Sequence, residues 1–335
     1  MTAVSSITLA FCLSLALTPT VRRWLLHRGM VDLPGERRSH QRATPRGGGI
    51  ALVLALCLSL LWSAGVEAIV PVALLVILAV IGWLDDVYDL PVRWRLSGQL
   101  VVALAMLGYA GPVAQVELGG LVLEWPWLWS ALAVIAVVWL VNLHNFMDGS
   151  DGLAAMQGTW AGLVLGVLLY TQGASVAGIA GLALAGACLG FAFWNRPPAR
   201  IFLGDVGSVS LGGAVGMLAL IGAASGQVSI WVSLIVCSLF VVDATATLLR
   251  RALRGERWYT AHREHAYQRL LAAGWSHGRV LVLYGLTNLV LVLPVVLLAL
   301  WYPAWDAVLA AGLGLVLIGA WSRIQVGTEK ENNSR

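Results

Sequence analysis

Read only as hydrophobic and polar positions, the chain alternates long apolar runs with short polar breaks. The runs fall at about 4–21, 48–65, 68–84, 96–110, 126–143, 154–171, 175–194, 208–224, 229–249, 279–300 and 304–321. A helix needs about 20 mostly apolar residues to cross a hydrocarbon layer about 30 Å thick. The pattern therefore predicts eleven spans, the fourth being the least regular because Arg95 and Gln99 interrupt its start. Between the fourth and fifth runs, Gly111 to Glu124 reads as a small hairpin turning at Gly119 and Gly120. The expected fold is an all-α polytopic membrane protein, one domain over 1–325 with a polar tail at 326–335.

Composition agrees with the pattern. The chain is 59% hydrophobic and 11% charged, with a mean hydropathy of +0.83, outside the range of soluble globular domains. The placement of charge tests the span map independently. Of the 21 Lys and Arg residues, seven lie in 22–46, two in 93–95, two in 196–200, seven in 250–279 and three in 323–335. The intervening connections have none. Basic connections stay cytoplasmic, which predicts an outer N-terminus and an inner C-terminus. The net charge of +4 is then a topological signal with some attraction to anionic head groups, and nucleic acid is not an expected partner. Met1 to Ala3 is not basic, so the first run reads as a retained helix. Cys12, Cys57, Cys188 and Cys237 all fall inside runs without CxxC spacing, as small buried apolar residues do.

The reactive side chains collect on the inner side. All six histidines are there, and only Glu67, Glu117, Glu124 and Asp306 of the 17 acidic residues lie outside. Asp85-Asp86-Val-Tyr-Asp89 closes the third run; adjacent carboxylates repel, and a cation, a basic partner or bulk water relieves them equally well. Asn142-Leu-His-Asn145-Phe-Met-Asp148-Gly-Ser-Asp151-Gly places two carboxamides three apart and two carboxylates three apart. Oxygen atoms at that density suit a hard divalent cation, although an Asx-rich turn capping helix ends uses the same residues. Phe202-Leu-Gly-Asp205-Val-Gly-Ser208 opens the eighth run as a phosphate-cradling turn would, or simply as an N-cap.

Two basic loops complete the set. His262-Arg263-Glu-His265-Ala-Tyr-Gln-Arg269 offers two imidazoles and two guanidinium groups to a diphosphate; zinc competes for the histidines but lacks further ligands. His40 and the run Pro45-Arg46-Gly-Gly-Gly49 precede the second span and serve topology, or seat a lipid phosphate. Asp243 is ionisable two turns inside the ninth run, a functional candidate or one half of a structural pair.

Taken in order, Asp85-Asp86-x-x-Asp89, Asn142-x-x-Asn145-Phe-x-Asp148-Gly-x-Asp151-Gly-Leu, Phe-Leu-Gly-Asp205-x-Gly-Ser and His262-x-x-His265 resemble the polyprenyl-phosphate N-acetylhexosamine-1-phosphate transferase superfamily, over nearly the whole chain. The resemblance implies a bacterial inner-membrane enzyme that moves a sugar 1-phosphate from a UDP-sugar to undecaprenyl phosphate and releases UMP. It implies Mg²⁺, with Mn²⁺ as a substitute, held by Asp205 and Asn145. It assigns Asp85 and Asp86 to the lipid phosphate, with Asp89 beside them, and Asp148 and Asp151 to the sugar and its hydrogen-bond network. Asn195 and Phe202 match positions associated with uracil; His262 and His265 match the diphosphate loop, with Arg263 and Arg269. Asn142, Ser208, His40 and Arg46 complete the expected substrate contacts, and a homodimer is compatible with the pattern. The MurNAc-pentapeptide branch resembles DDxxK with three histidines, whereas Asp89 and His-Arg-Glu-His stand here. The loop is closer to the O-antigen-initiating branch that uses UDP-GlcNAc, UDP-FucNAc or UDP-QuiNAc. A lipid-linked sugar transporter would instead spread ionisable residues through the midplane, and a Mg²⁺ channel would need an outer acidic ring.

Overall fold

The computed structural model describes residues 3–32, 43–257 and 262–333, with side chains described as far as 328. Helices dominate: α1 Ala3–His27, α2 Gly49–Ala64, α3 Ile69–Tyr88, α4 Val92–Ala110, α5 Pro126–Phe146, α6 Leu153–Thr171, α7 Ser175–Asn195, α8 Asp205–Ser225 and α9 Ile230–Leu253. After these come α10 Ala266–Ala272, α11 His277–Thr287, α12 Leu293–Trp301 and α13 Asp306–Asn333. Two short antiparallel pairs join them, β1 Val31–Asp32 with β2 Thr44–Pro45, and the outer hairpin β3 Val116–Leu118 with β4 Leu121–Leu123.

Among the described residues, nine helical segments are long and apolar enough to cross a membrane. Two details differ from the sequence pattern. The second and third runs form one 40-residue helical segment, 49–88, jointed by a 3₁₀ turn at Gly65–Ala68. Helix α4 forms but is not among the nine, because Arg93, Arg95 and Gln99 dilute its apolar content. Helices α11 and α12 are continuous through a π turn at Asn288–Val292, and α13 carries on past residue 326, where a polar tail is expected.

Helix α8 is the most enclosed of the nine. It packs against α3 and α5, with α4 lying across the α3–α5 side. Small residues permit this: a Cβ at Gly82 of α3 would collide with the backbone carbonyl of Asp205. The close crossing sets Asp85 and Asp86, at the end of α3, against the first residue of α8. Gly204 enters α8 at a φ of 75°, a left-handed conformation that glycine adopts at least cost.

Candidate active site

The inner-side residues are assembled by a backbone splice. Phe202 N–H donates to Pro45 O at 2.8 Å, Gly48 N–H to Phe202 O at 2.8 Å and Gly49 N–H to Leu203 O at 2.8 Å. Arg46 is thereby bridged in parallel to Phe202 and brought to the N-terminus of α8. Its Nε lies 2.9 Å from Asp86 Oδ1 and its Nη2 2.5 Å from Asp205 Oδ1. Burial works against the guanidinium charge, but Asp205 and then Asp86 outweigh it and raise the Arg46 pKa above its ordinary value.

Asp86 is fully engaged. Its side chain has no exposure, and its two oxygens accept the N–H groups of Asp205 and Val206 at 3.0 Å each. The turn read from sequence as a phosphate cradle is therefore capped by a carboxylate of the same chain, a charge that favours a helix N-terminus. Asp85 takes a different partner: Arg95 Nη1 donates to its Oδ2 at 2.5 Å and Leu90 N–H to its Oδ1 at 2.8 Å.

A cavity of about 340 Å³ opens beside these groups, lined by Arg46, Asn145, Asp148, Asp151, Phe202 and Asp205 among others. Asn145 Nδ2 donates to Ser208 Oγ at 3.2 Å, so its carbonyl oxygen has no protein partner among the described residues. The Asp148 carboxylate likewise accepts no described hydrogen bond. Removal from water first, and the charge of Asp205 next, push its carboxyl well above the usual carboxylate range, with Arg46 acting oppositely. Among the described residues, no three His, Cys, Asp or Glu side chains group as metal ligands. Asp205 and the amide oxygen of Asn145, both on this cavity, are nevertheless donor types that fit Mg²⁺, which takes one or two protein ligands and fills its octahedron with phosphate and water.

A second cavity, about 410 Å³ and mostly apolar, runs between α3, α4 and α5. Its polar end carries Asp85, Arg95, Gln99 and Asn142, and Asn145 and Phe146 line both cavities. Asn142 turns to this groove and away from the first cavity, donating to Gln99 Oε1 at 2.7 Å and to Val138 O at 2.8 Å.

The model of glycosyl transferase family 4 matches residues 68–223, a stretch that carries the whole lining of the apolar groove and part of that of the first cavity, to which Arg46 and Arg263 also contribute. A probable undecaprenyl-phosphate N-acetylglucosaminyl 1-phosphate transferase of Bacillus subtilis is 31% identical over 297 residues, covering 83% of this chain and 81% of its own. A decaprenyl-phosphate N-acetylglucosaminephosphotransferase of Mycolicibacterium smegmatis is 32% identical over 308 residues, 79% of this chain and 74% of its own. A phospho-N-acetylmuramoyl-pentapeptide-transferase of Moorella thermoacetica is 31% identical over 305 residues, 84% and 94%. The chain belongs to this polyprenyl-phosphate N-acetylhexosamine-1-phosphate transferase superfamily. Relatives of both sugar types match it at the same level of identity.

Within this family member, several residues singled out by sequence act as ties. Asp151 Oδ2 accepts Ala199 N–H at 2.9 Å, and its Oδ1 is 3.7 Å from His277 Nδ1. Asn195 uses both ends of its amide, accepting from Gly152 N–H at 3.0 Å and donating to Ile201 O at 2.9 Å. These bonds hold the 149–152 turn against the 196–201 loop. Asp243 accepts from Ala266 N–H at 2.7 Å and from Tyr284 Oη at 2.7 Å, so it anchors the start of α10 and the basic loop.

The loop itself divides. Arg263 lines the first cavity. His265 is buried, 3.7 Å from Asp243 Oδ1 and stacked between Phe146 and Tyr267. His262 lies against His265 at a ring separation of 4.9 Å; burial, then His265, lower its pKa to about 4. Neither imidazole lines the cavity. Arg269 pairs with Glu264, which is also held by Arg251. Asp89 is an exposed left-handed cap of α3 away from both cavities, and His40 lies outside the described residues. Sequence reading left out Arg95, Gln99, His277 and Tyr267. Tyr267 donates to Phe146 O at 2.9 Å and supports the turn at Gly149. Arg95 had one visible signal, a basic residue on the span that follows the acidic pair.

Proposed function

We propose that this chain transfers an N-acetylhexosamine 1-phosphate, of the GlcNAc, FucNAc or QuiNAc type, from a UDP-sugar to undecaprenyl phosphate at the cytoplasmic face of a bacterial inner membrane, releasing UMP and starting an O-antigen or related envelope glycan. The observation that carries the reading is the shared wall of Asn145 and Phe146 between a polar, charged cavity and an apolar groove. Such a wall lets a water-soluble diphosphate and a membrane-bound phosphate meet at one point. The relatives' names, which specify polyprenyl phosphates and transfer of an N-acetylglucosaminyl phosphate, support the same reaction.

In this reading the polyprenyl chain lies along α3, α4 and α5, with its phosphate at Arg95. A phosphate oxygen attacks the β-phosphorus of the UDP-sugar; the new P–O bond forms as the bond to the α–β bridging oxygen breaks, and UMP leaves with that electron pair. Like charges oppose the approach, so cationic groups are needed on both sides. Arg95 and Arg46 supply protein cations. Asp205 and Asn145 would hold Mg²⁺, or Mn²⁺ in its place, which supplies neutralisation of the diphosphate charge. Because lipid phosphate is largely ionised near neutral pH, no strong base is required, and the engagement of both Asp86 oxygens favours a single displacement over an aspartyl-phosphate. The charge alternation supports eleven crossings with the N-terminus outside and the C-terminus inside.

The sugar is tested by supplying purified protein with undecaprenyl phosphate, Mg²⁺ and a panel of labelled UDP-sugars that includes UDP-MurNAc-pentapeptide. Butanol-extractable product from a UDP-N-acetylhexosamine alone supports the reading. Product from the pentapeptide donor alone moves the chain to peptidoglycan synthesis, and no product across the panel rejects the transferase.

A further inference from the structure

The proposed reaction requires Asp205 as a divalent-cation ligand, and that carboxylate already holds a cation of the chain itself. We propose that Arg46 is the placeholder of the metal site: its guanidinium neutralises Asp205 when no divalent ion is bound, yields that oxygen when one enters, and turns its freed Nη end to a substrate phosphate. The inference rests on the assignment of Asp205 to Mg²⁺.

The two ends of the guanidinium are held unequally. At the Nε end, Asp86 is wholly buried and fixed by two backbone N–H groups, while the Arg46 backbone is fastened to Phe202. At the Nη2 end, the Asp205 side chain is 15% exposed and the Arg46 side chain 43% exposed, both on the first cavity. The group can therefore pivot about its Asp86 contact without leaving the site. Asp86 accepts the Asp205 N–H, Arg46 bridges the two carboxylates, and the cavity that holds Asp205 is also lined by Asp148, so the free protein needs a local cation to hold these carboxylates together. A guanidinium serves that purpose and, once displaced, presents the planar fork that matches phosphate oxygens. One oxygen with two competing cations gives the free protein a weaker hold on Mg²⁺ than its carboxylates alone would have. Phosphate substrate, by occupying the displaced guanidinium, strengthens that hold, and by linkage the metal strengthens substrate binding.

The test is Mn²⁺ binding to the purified full-length protein without substrate, read from the paramagnetic resonance of free Mn²⁺. Arg46→Gln is expected to bind Mn²⁺ about tenfold tighter than wild type, the order of one close charge pair removed from competition, with Arg46→Lys between the two. Asp205→Asn is expected to lose the site. Arginine variants that bind like wild type or more weakly, with binding still lost in Asp205→Asn, overturn the placeholder and leave the metal assignment standing. Unchanged binding in Asp205→Asn overturns the metal assignment and the placeholder with it. Should Arg46→Gln fail to fold, Arg46→Lys, which keeps the charge but cannot span two carboxylates, decides between the same outcomes.

Discussion

Arg95 and Asp85 meet at 2.5 Å across the polar end of the apolar groove, joining the end of one helix to the start of the next. The Arg95 side chain stays 32% exposed beside the pair, and in the proposed reaction that exposed part takes the lipid phosphate while the pairing keeps Asp85 from opposing it. Arg95→Ala should raise KM for the polyprenyl phosphate about tenfold or more, the order of one charge-assisted contact, and leave KM for the UDP-sugar within about twofold. Steady-state kinetics with each substrate varied in turn checks this. An equal rise in both constants would remove Arg95 from the acceptor site.

Asp86 is predicted to act through structure, since it caps α8 and orients Arg46. Asp86→Ala leaves Arg46 short of a partner and two helix N–H groups without an acceptor, at a cost of about 3 kcal/mol. Its Tm should fall clearly in a tryptophan-fluorescence melt, with Asp86→Asn in between. A variant that melts like wild type but is inactive would instead make Asp86 a group that touches substrate.

The basic loop carries the pH prediction. The His262 pKa is lowered from 6.5 to about 4, by burial first and then by His265, so the folded loop binds that proton less readily than the unfolded chain. Folding stability is therefore unaffected by His262 above about 6.5, declines as pH falls from 6.5 towards 4, and bears the full cost below 4. His262→Gln, which cannot charge, should flatten that acid decline in melts between pH 7 and pH 5. A decline of unchanged slope would assign it to another group.

Asp243 supplies a fourth test. Its carboxylate ties α10 and Tyr284 to α9, so Asp243→Asn should speed hydrogen exchange in 262–272 by at least about tenfold, one lost charged hydrogen bond, with α1 to α8 unaffected. Tyr284→Phe should produce a smaller effect at the same place. Uniform acceleration across the protein would mean that Asp243 supports the whole bundle.

The sequence made the helices legible because membrane spans are long, apolar and separated by charge of one sign; even the hairpin at Gly119 and Gly120 is present. It did not reveal that α2 and α3 form a jointed segment, since a 3₁₀ turn at Gly65–Ala68 interrupts no apolar pattern. Residues from several of the motifs do meet on the two cavities, yet adjacent residues within one motif have separate partners. Asp85 faces Arg95 and the groove, whereas Asp86 faces Arg46 and α8. Arg95 is a near neighbour ten positions on, but Arg46 and the start of α8 lie 40 and 119 positions from Asp86, and the close approach allowed by Gly82 and the splice of 45–49 onto 202–203 bring them together. Asp151 and Asn195 line the first cavity and also tie two loops together, a second duty that polar side chains do not announce in sequence.

The central claim is phosphoryl transfer across the wall that Asn145 and Phe146 form between the two cavities, and the fate of one atom tests it most directly. UDP-GlcNAc labelled with ³²P at the β-phosphorus, incubated with purified protein, undecaprenyl phosphate and Mg²⁺, should transfer its label to the butanol-soluble lipid while unlabelled UMP appears in equal amount. Label remaining in the aqueous phase as UDP, with sugar alone moving to the lipid, or label entering the protein before the lipid is added, would contradict the account.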